Sequence, residues 1–245
     1  MSFLSAQHLI VLAVTLALCV GLGLAARRDP GARWITPLCR ALAVLLIASE
    51  VAFHIVKALD GGLTARGDLP LHLTDAATVV AAIALWFPGA ALAFELTYFW
   101  AMTATLQALL TPDLRQGFPD YRWWWFFIEH SGVLVAAILM AWGLRRTPRP
   151  GAVLRVFAWS LGVTALAAIG TVAFDGNYMF LRHKPTGGSL LDVMGPWPWY
   201  IVSAAALALA LFWLFDRPFD GRRGRRPWDG IPRVRWGRED PTNAR

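Results

Sequence analysis

Residues 5–25 read SAQHLIVLAVTLALCVGLGLA. This stretch contains no Asp, Glu, Lys or Arg. As a helix rising 1.5 Å per residue it covers about 30 Å, the thickness of a bilayer's hydrocarbon core. Its flanks decide whether it is a leader or a permanent span. Residues 1–7 carry no charged side chain, and Arg27 and Arg28 follow the apolar run. A secretory signal carries its basic region in front, so the segment reads as a retained first helix with its N-terminus outside.

Six further apolar segments follow, over 36–58, 70–87, 89–111, 123–143, 151–174 and 198–216. Pro88-Gly89 forms the break between the third and fourth. The whole composition agrees with this reading. Hydrophobic residues make up 57% of the 245 positions and charged residues 16%, with a mean hydropathy of +0.48. A soluble domain is nearer 45–50% apolar and about 25% charged, so a soluble globular protein and a disordered chain are both excluded. The 13 Trp suit membrane interfaces. Cys19 and Cys39 both lie in apolar runs, so no disulfide framework is expected. The expected architecture is all-α: a polytopic helix bundle of seven transmembrane helices over residues 1–216, in the cytoplasmic membrane.

Charge sets the expected orientation. With the N-terminus outside, the inner segments hold 17 arginines and the outer ones six basic residues. Positive residues gather on the cytoplasmic side, which supports N-out and C-in. The tail over 217–245 carries nine of those arginines and has no apolar periodicity. It reads as a solvated, disordered topogenic segment. The net charge of +7 is therefore explained by topology, and a nucleic-acid partner is not expected. No P-loop, dinucleotide fingerprint, zinc-finger spacing or haem-attachment motif is present.

Ionisable groups inside a membrane are costly, so they are functional suspects. Glu50 and His54 stand four apart in the second segment and share a helix face. His72 and Asp75 open the third, Glu129 and His130 lie in the fifth, and Asp175 and Asn177 follow the sixth. With the orientation above, His54, His72, Asp75, His130, Asp175 and Asn177 fall in one layer near the outer surface, with Glu50 a turn deeper. That layer is expected to form a polar pocket open to the extracytoplasmic side. Glu95 stands apart, toward the inner half, where a structural pair or a protonated form is expected. His8 and His183 read as surface residues, and Trp123 to Trp125 as an interfacial belt.

At these residues the chain resembles a known family. LPLH (69–72), ALLTPDL (108–114), FFIEH (126–130), GNYMFL (176–181), KP (184–185) and SLLD with GPWPWY (189–200) are similar to words of the YwaF-type integral membrane proteins of bacteria. That family is distantly similar to the transmembrane protein 164 acyltransferases of animals, which move acyl chains between phospholipids. A wider kinship takes in the androgen-induced membrane hydrolases, which use a Thr nucleophile and a His. The resemblance implies an intramembrane acyl-transfer site with His130 as its catalytic histidine. Relatives carry a nucleophilic Cys at positions that here are Leu71 and Thr74.

Three functions follow as expectations. The first is lipid acyl transfer or lipid-ester hydrolysis at the outer leaflet, without a cofactor, on phospholipid donor and acceptor. Thr74 would be the nucleophile, His130 its base, Asp75 or Glu129 the group orienting the base, and Asn177 or His72 an oxyanion donor. The second is a zinc hydrolase, with His54, His72, His130, Asp75 and Glu50 supplying nitrogen and oxygen ligands. The third is non-enzymatic transport or lipid binding.

Overall fold

The computed structural model describes residues 4–186 and 188–221. The described residues fold into helices and contain no strand. Eight α-helices follow in order: α1 (Ala6–Arg28), α2 (Ile35–Leu59), α3 (Leu73–Trp86), α4 (Ala91–Trp100), α5 (Leu106–Leu110), α6 (Tyr121–Ile138), α7 (Ala152–Ala173) and α8 (Trp199–Asp216). A π-turn over Ala101–Thr105 joins α4 to α5, and a second, Leu139–Gly143, extends α6.

Five helices are long and apolar enough to cross a membrane: α1, α2, α6 with its π-turn, α7, and α8 with the turn that follows it. The expected third and fourth segments differ. The third was expected from residue 70, but α3 begins at Leu73 and has 14 residues. Pro70 has no N–H to donate and biases the residue before it away from the helix. The helix then starts where Asp75 Oδ2 accepts the N–H of His72 at 2.8 Å. The fourth is the composite of α4, the π-turn and α5, and it carries Glu95 and Gln107.

Other ends follow local chemistry. Ser5 caps α1 by accepting the His8 N–H, and Asp120 caps α6 by accepting that of Arg122. Gly151 adopts a left-handed φ of 74° to launch α7 after Pro150.

Helix α6 is the hub of the bundle. It packs against α1, α2, α3, α4 and α5, while α7 and α8 pack beyond α4. Small residues allow the closest approach: a Cβ on Gly143 would stand 3.2 Å from the Cα of Gly23 on α1. Outward faces carry large apolar side chains, among them Ile10, Leu16, Val44, Ile55, Leu166 and Val202. Such a belt suits contact with lipid.

The two ends of the bundle differ. One gathers the N-termini of α3, α6 and α8 with the C-termini of α2 and α7. The other holds the start of α4 and the arginine-rich connection from α6 to α7. There Glu95, fully buried, receives hydrogen bonds from Arg149 and Arg155 at 2.9 Å. The expected structural partner of Glu95 is thus two guanidinium groups.

The basic tail falls almost wholly outside the described residues. Its first residues are described: Arg217–Phe219 form a short 3-10 turn, and Phe219 is buried edge-on against Tyr98. The packed chain therefore reaches past residue 216.

Candidate functional site

Thr74 is the second residue of α3, half-buried, and faces α6. Its Oγ1 lies 3.3 Å from Nε2 of His130, which is buried on α6. Nδ1 of the same ring lies 2.7 Å from the carbonyl oxygen of Phe126, one turn back. A carbonyl only accepts, so Nδ1 carries the proton and donates it there. Nε2 is then the bare nitrogen, and the Thr74 hydroxyl donates to it. This arrangement sets a hydroxyl against a base with the tautomer required to deprotonate it. The Phe126 ring also stacks on His130, with centroids 4.1 Å apart.

The group orienting His130 is therefore the Phe126 carbonyl. Neither Asp75 nor Glu129, the carboxylates expected in that role, hydrogen-bonds the ring. Asp75 caps α3 instead. Glu129 precedes His130, and successive helical side chains diverge. It points to Glu50 and Asp75, and the three carboxylates bring oxygen atoms within 4.8 Å of one another.

The expected oxyanion donors lie elsewhere. Asn177 donates from Nδ2 to the His183 carbonyl at 2.9 Å and accepts the Arg182 N–H at 2.9 Å. It organises the segment after α7 and does not reach the dyad. His72 caps α3, accepts the Met179 N–H at 3.4 Å and packs edge-on against Tyr178. The first turn of α3 itself offers donors, because the leading N–H groups of a helix have no partner within it.

The expected zinc ligands are not gathered either. His54 has the Glu50 carbonyl 2.9 Å from Nδ1 and the Asp68 carbonyl 2.8 Å from Nε2. Both ring nitrogens are turned to backbone carbonyls, so neither is directed at a metal. The Glu50 carboxylate stands 3.5 Å from Nδ1. His130 is committed to Phe126 and Thr74. Among the described residues, the set of three metal-ligating side chains that does converge is Glu50, Asp75 and Glu129.

His8 is a plain correction. It was expected at the surface but is fully buried. Its Nε2 donates to the Leu109 carbonyl at 2.7 Å, tying α1 to α5. The Leu4 N–H lies 3.3 Å from its Nδ1.

Several supporting residues have roles that the sequence did not show. Trp125 donates from Nε1 to Glu50 Oε2 at 3.0 Å. Tyr178 is wholly buried; its hydroxyl donates to the Ala65 carbonyl at 2.6 Å and accepts the Leu69 N–H at 3.2 Å. These bonds hold the approach to α3. Asp68, in the same approach, pairs with Lys57 and Thr64. Burial alone would raise its carboxyl, but those hydrogen bonds outweigh burial and hold it below the usual carboxylate range. At the rim, Arg182 and Arg66 hold the Asp175 carboxyl down likewise.

A cavity of about 810 Å³ lies between α2, α3, α4 and α7. Its walls are apolar, from Ile47 and Val51 through Val79 to Trp100 and Trp159, with Glu50, His54 and Asp75 as the polar exceptions. Ligand sites commonly occupy about 300–1,000 Å³ with few polar groups in an apolar lining.

A family model, that of the TMEM164 family, matches residues 3–216. No curated protein and no solved structure matches the chain.

Proposed function

The chain belongs to the TMEM164 family and is an integral membrane protein, and from that premise we propose that it moves acyl groups of membrane lipids, to a second lipid or to water. The observation that carries this reading is the contact between Thr74 Oγ1 and His130 Nε2, with the tautomer held by Phe126. The hydroxyl attacks the ester carbonyl carbon while Nε2 takes its proton. The N–H groups of Leu73 and Thr74, at the start of α3, would donate to the developing oxyanion. The ester C–O bond then breaks, and the departing lysolipid oxygen takes the proton from Nε2. A lipid hydroxyl or water attacks the acyl-threonine in turn, giving its proton to Nε2; the acyl C–Oγ1 bond then breaks, and Thr74 Oγ1 takes that proton back as the new ester or free acid leaves.

The setting supports the chemistry. A low-dielectric site strengthens every polar contact aimed at a developing charge. The apolar cavity beside α3, lined by Asp75 next to Thr74 but not by Thr74 or His130 themselves, has the volume for an acyl chain. In this reading seven spans cross the cytoplasmic membrane with the N-terminus outside. The dyad then lies at the outer leaflet, and Arg145, Arg146, Arg149 and Arg155 face the cytoplasm, as the positive-inside rule favours.

The deciding experiment supplies purified protein with an acyl-labelled phospholipid and a lysolipid acceptor. Label is expected to reach the acceptor or water with the wild type, and to stay in place with Thr74→Ala and with His130→Ala. Loss with His130→Ala alone would remove Thr74 as nucleophile. A wild type that binds the lipid without moving label would instead favour a lipid-binding role, which the apolar cavity also supports.

A further inference from the structure

Three carboxylates from three helices converge where acyl transfer has no use for them. Glu50 comes from α2, Asp75 from α3 and Glu129 from α6, with ligand oxygens within 4.8 Å of one another. Glu129 is fully buried, and neither of its oxygens receives a hydrogen bond. Glu50 Oε1 is buried and receives no hydrogen bond, its nearest nitrogen being His54 Nδ1 at 3.5 Å. The same molecule shows how a structural buried carboxylate is normally treated: Glu95 is saturated by Arg149 and Arg155. Glu129 has no guanidinium or ammonium partner: its oxygens face the carboxylates of Glu50 and Asp75 and lie near the Trp125 indole. Buried acceptors left unmatched are costly, and adjacent like charges in an apolar interior repel strongly. The arrangement calls for positive charge at its centre.

We propose that Glu50, Asp75 and Glu129 form a binding site for a divalent cation of the Ca²⁺ class. The donor set is all oxygen, which suits a hard cation. Coordination habit favours the larger ion: Ca²⁺ accepts an irregular set of carboxylates completed by water, whereas Mg²⁺ demands a near-ideal octahedron and gives up its own water reluctantly. Zinc favours a tetrahedral set with nitrogen or sulfur, which is absent from this trio. Glu50 and Asp75 lie on the wall of the cavity, so water entering there completes the coordination. The ion joins α2, α3 and α6 at one point. Asp75 follows Thr74, and Glu129 precedes His130, so the same ion holds both helices of the dyad in register. The proposal does not depend on acyl transfer, and its readout involves no lipid.

The test uses the full chain, purified in detergent, stripped with EDTA and dialysed into metal-free buffer. CaCl₂, MgCl₂, MnCl₂ and ZnCl₂ are then titrated by calorimetry, with ion content and thermal unfolding measured in parallel. One Ca²⁺ per chain and a higher Tm with Ca²⁺ are expected. Glu129→Gln and, separately, Asp75→Asn should each weaken Ca²⁺ binding tenfold or more, while exposed Asp60→Asn should not. If Glu129→Gln fails to fold, Asp75→Asn decides. Absence of stoichiometric binding, or wild-type affinity in the trio variants, would overturn the site and leave protons shared among the carboxyls. Binding of Zn²⁺ without Ca²⁺ would overturn the hard-cation assignment.

Discussion

At the scale of single residues, the pairing of Thr74 with His130 depends on a backbone atom. A free imidazole places its proton on either nitrogen. The Phe126 carbonyl, 2.7 Å from Nδ1, removes that freedom and leaves Nε2 bare toward Thr74. A carboxylate there would also stabilise the imidazolium, but would add a further buried charge beside Glu50, Asp75 and Glu129. The neutral carbonyl orients the ring without adding to that repulsion. Two substitutions follow. Thr74→Ser keeps the hydroxyl, and label transfer from a phospholipid is expected within about tenfold of wild type. Thr74→Val keeps the volume but not the hydroxyl: label transfer should vanish, while the stability lost by unfolding assay stays near ~1 kcal/mol, the worth of one hydrogen bond. Equal transfer by both variants would exclude the hydroxyl from the chemistry. FFIEH drew attention to His130 through resemblance. The role of its partner Phe126 was not legible there, because any residue supplies a carbonyl.

At the scale of elements, the start of α3 is placed from outside the helix. Tyr178, after α7, binds the segment that approaches α3 at both Ala65 and Leu69. Gly176 lies so close to that segment that a Cβ would meet the Arg66 carbonyl oxygen at 2.4 Å. Gly176→Ala must therefore push the two segments apart, at about 1–3 kcal/mol of stability, and should slow label transfer by moving Thr74. A melting temperature equal to wild type would refute that coupling. Asp68 fastens the same approach through Lys57 and Thr64. Its carboxyl is held below its unfolded value, so its contribution is complete above that value, about 3.9. It is lost as pH falls through the depressed folded value. Melting of wild type and Asp68→Asn should differ at pH 6 and converge as pH drops below about 4. A gap that widened on acidification would contradict the pairing. GNYMFL marked this segment as worth attention in the sequence. Its role, a clamp on a helix start more than 100 residues earlier, was not visible there.

For the whole molecule, the two polar ends work differently. The dyad end carries strained demands: buried carboxylates facing one another, and His54 between two carbonyls. The opposite end is saturated, with Glu95 receiving its hydrogen bonds from Arg149 and Arg155 across the α6–α7 connection. That clamp joins α4 to α7 at the buried end of an ion pair whose arginines are partly exposed, at 46% and 32% of their side chains. Removing one partner of a fully buried pair costs about 3–5 kcal/mol. Partial exposure of the arginines lowers the expected loss for Glu95→Gln to about 2–3 kcal/mol. Thermal unfolding in detergent measures it. A loss below the scatter of the assay would show that the clamp contributes orientation only.

Hydropathy alone determined that this chain is helical and belongs in a membrane. In hydrocarbon every backbone polar group must be satisfied within its own segment, so long apolar runs such as 5–25 and 151–174 leave the chain little choice. Intramembrane polar residues placed by topology drew attention to one layer, and resemblance in short words added Thr74 as candidate nucleophile and His130 as candidate base. Tertiary structure decided what each polar side chain faces. It turned Glu129 away from its neighbour His130 and toward Glu50 and Asp75, buried His8 against Leu109, and drew Asn177 into its own loop. The physical reason is range. Apolar patterning is local and averages over a helix, whereas a hydrogen bond depends on one atom of another helix arriving within about 3 Å. Spacing along one chain does not encode that distance.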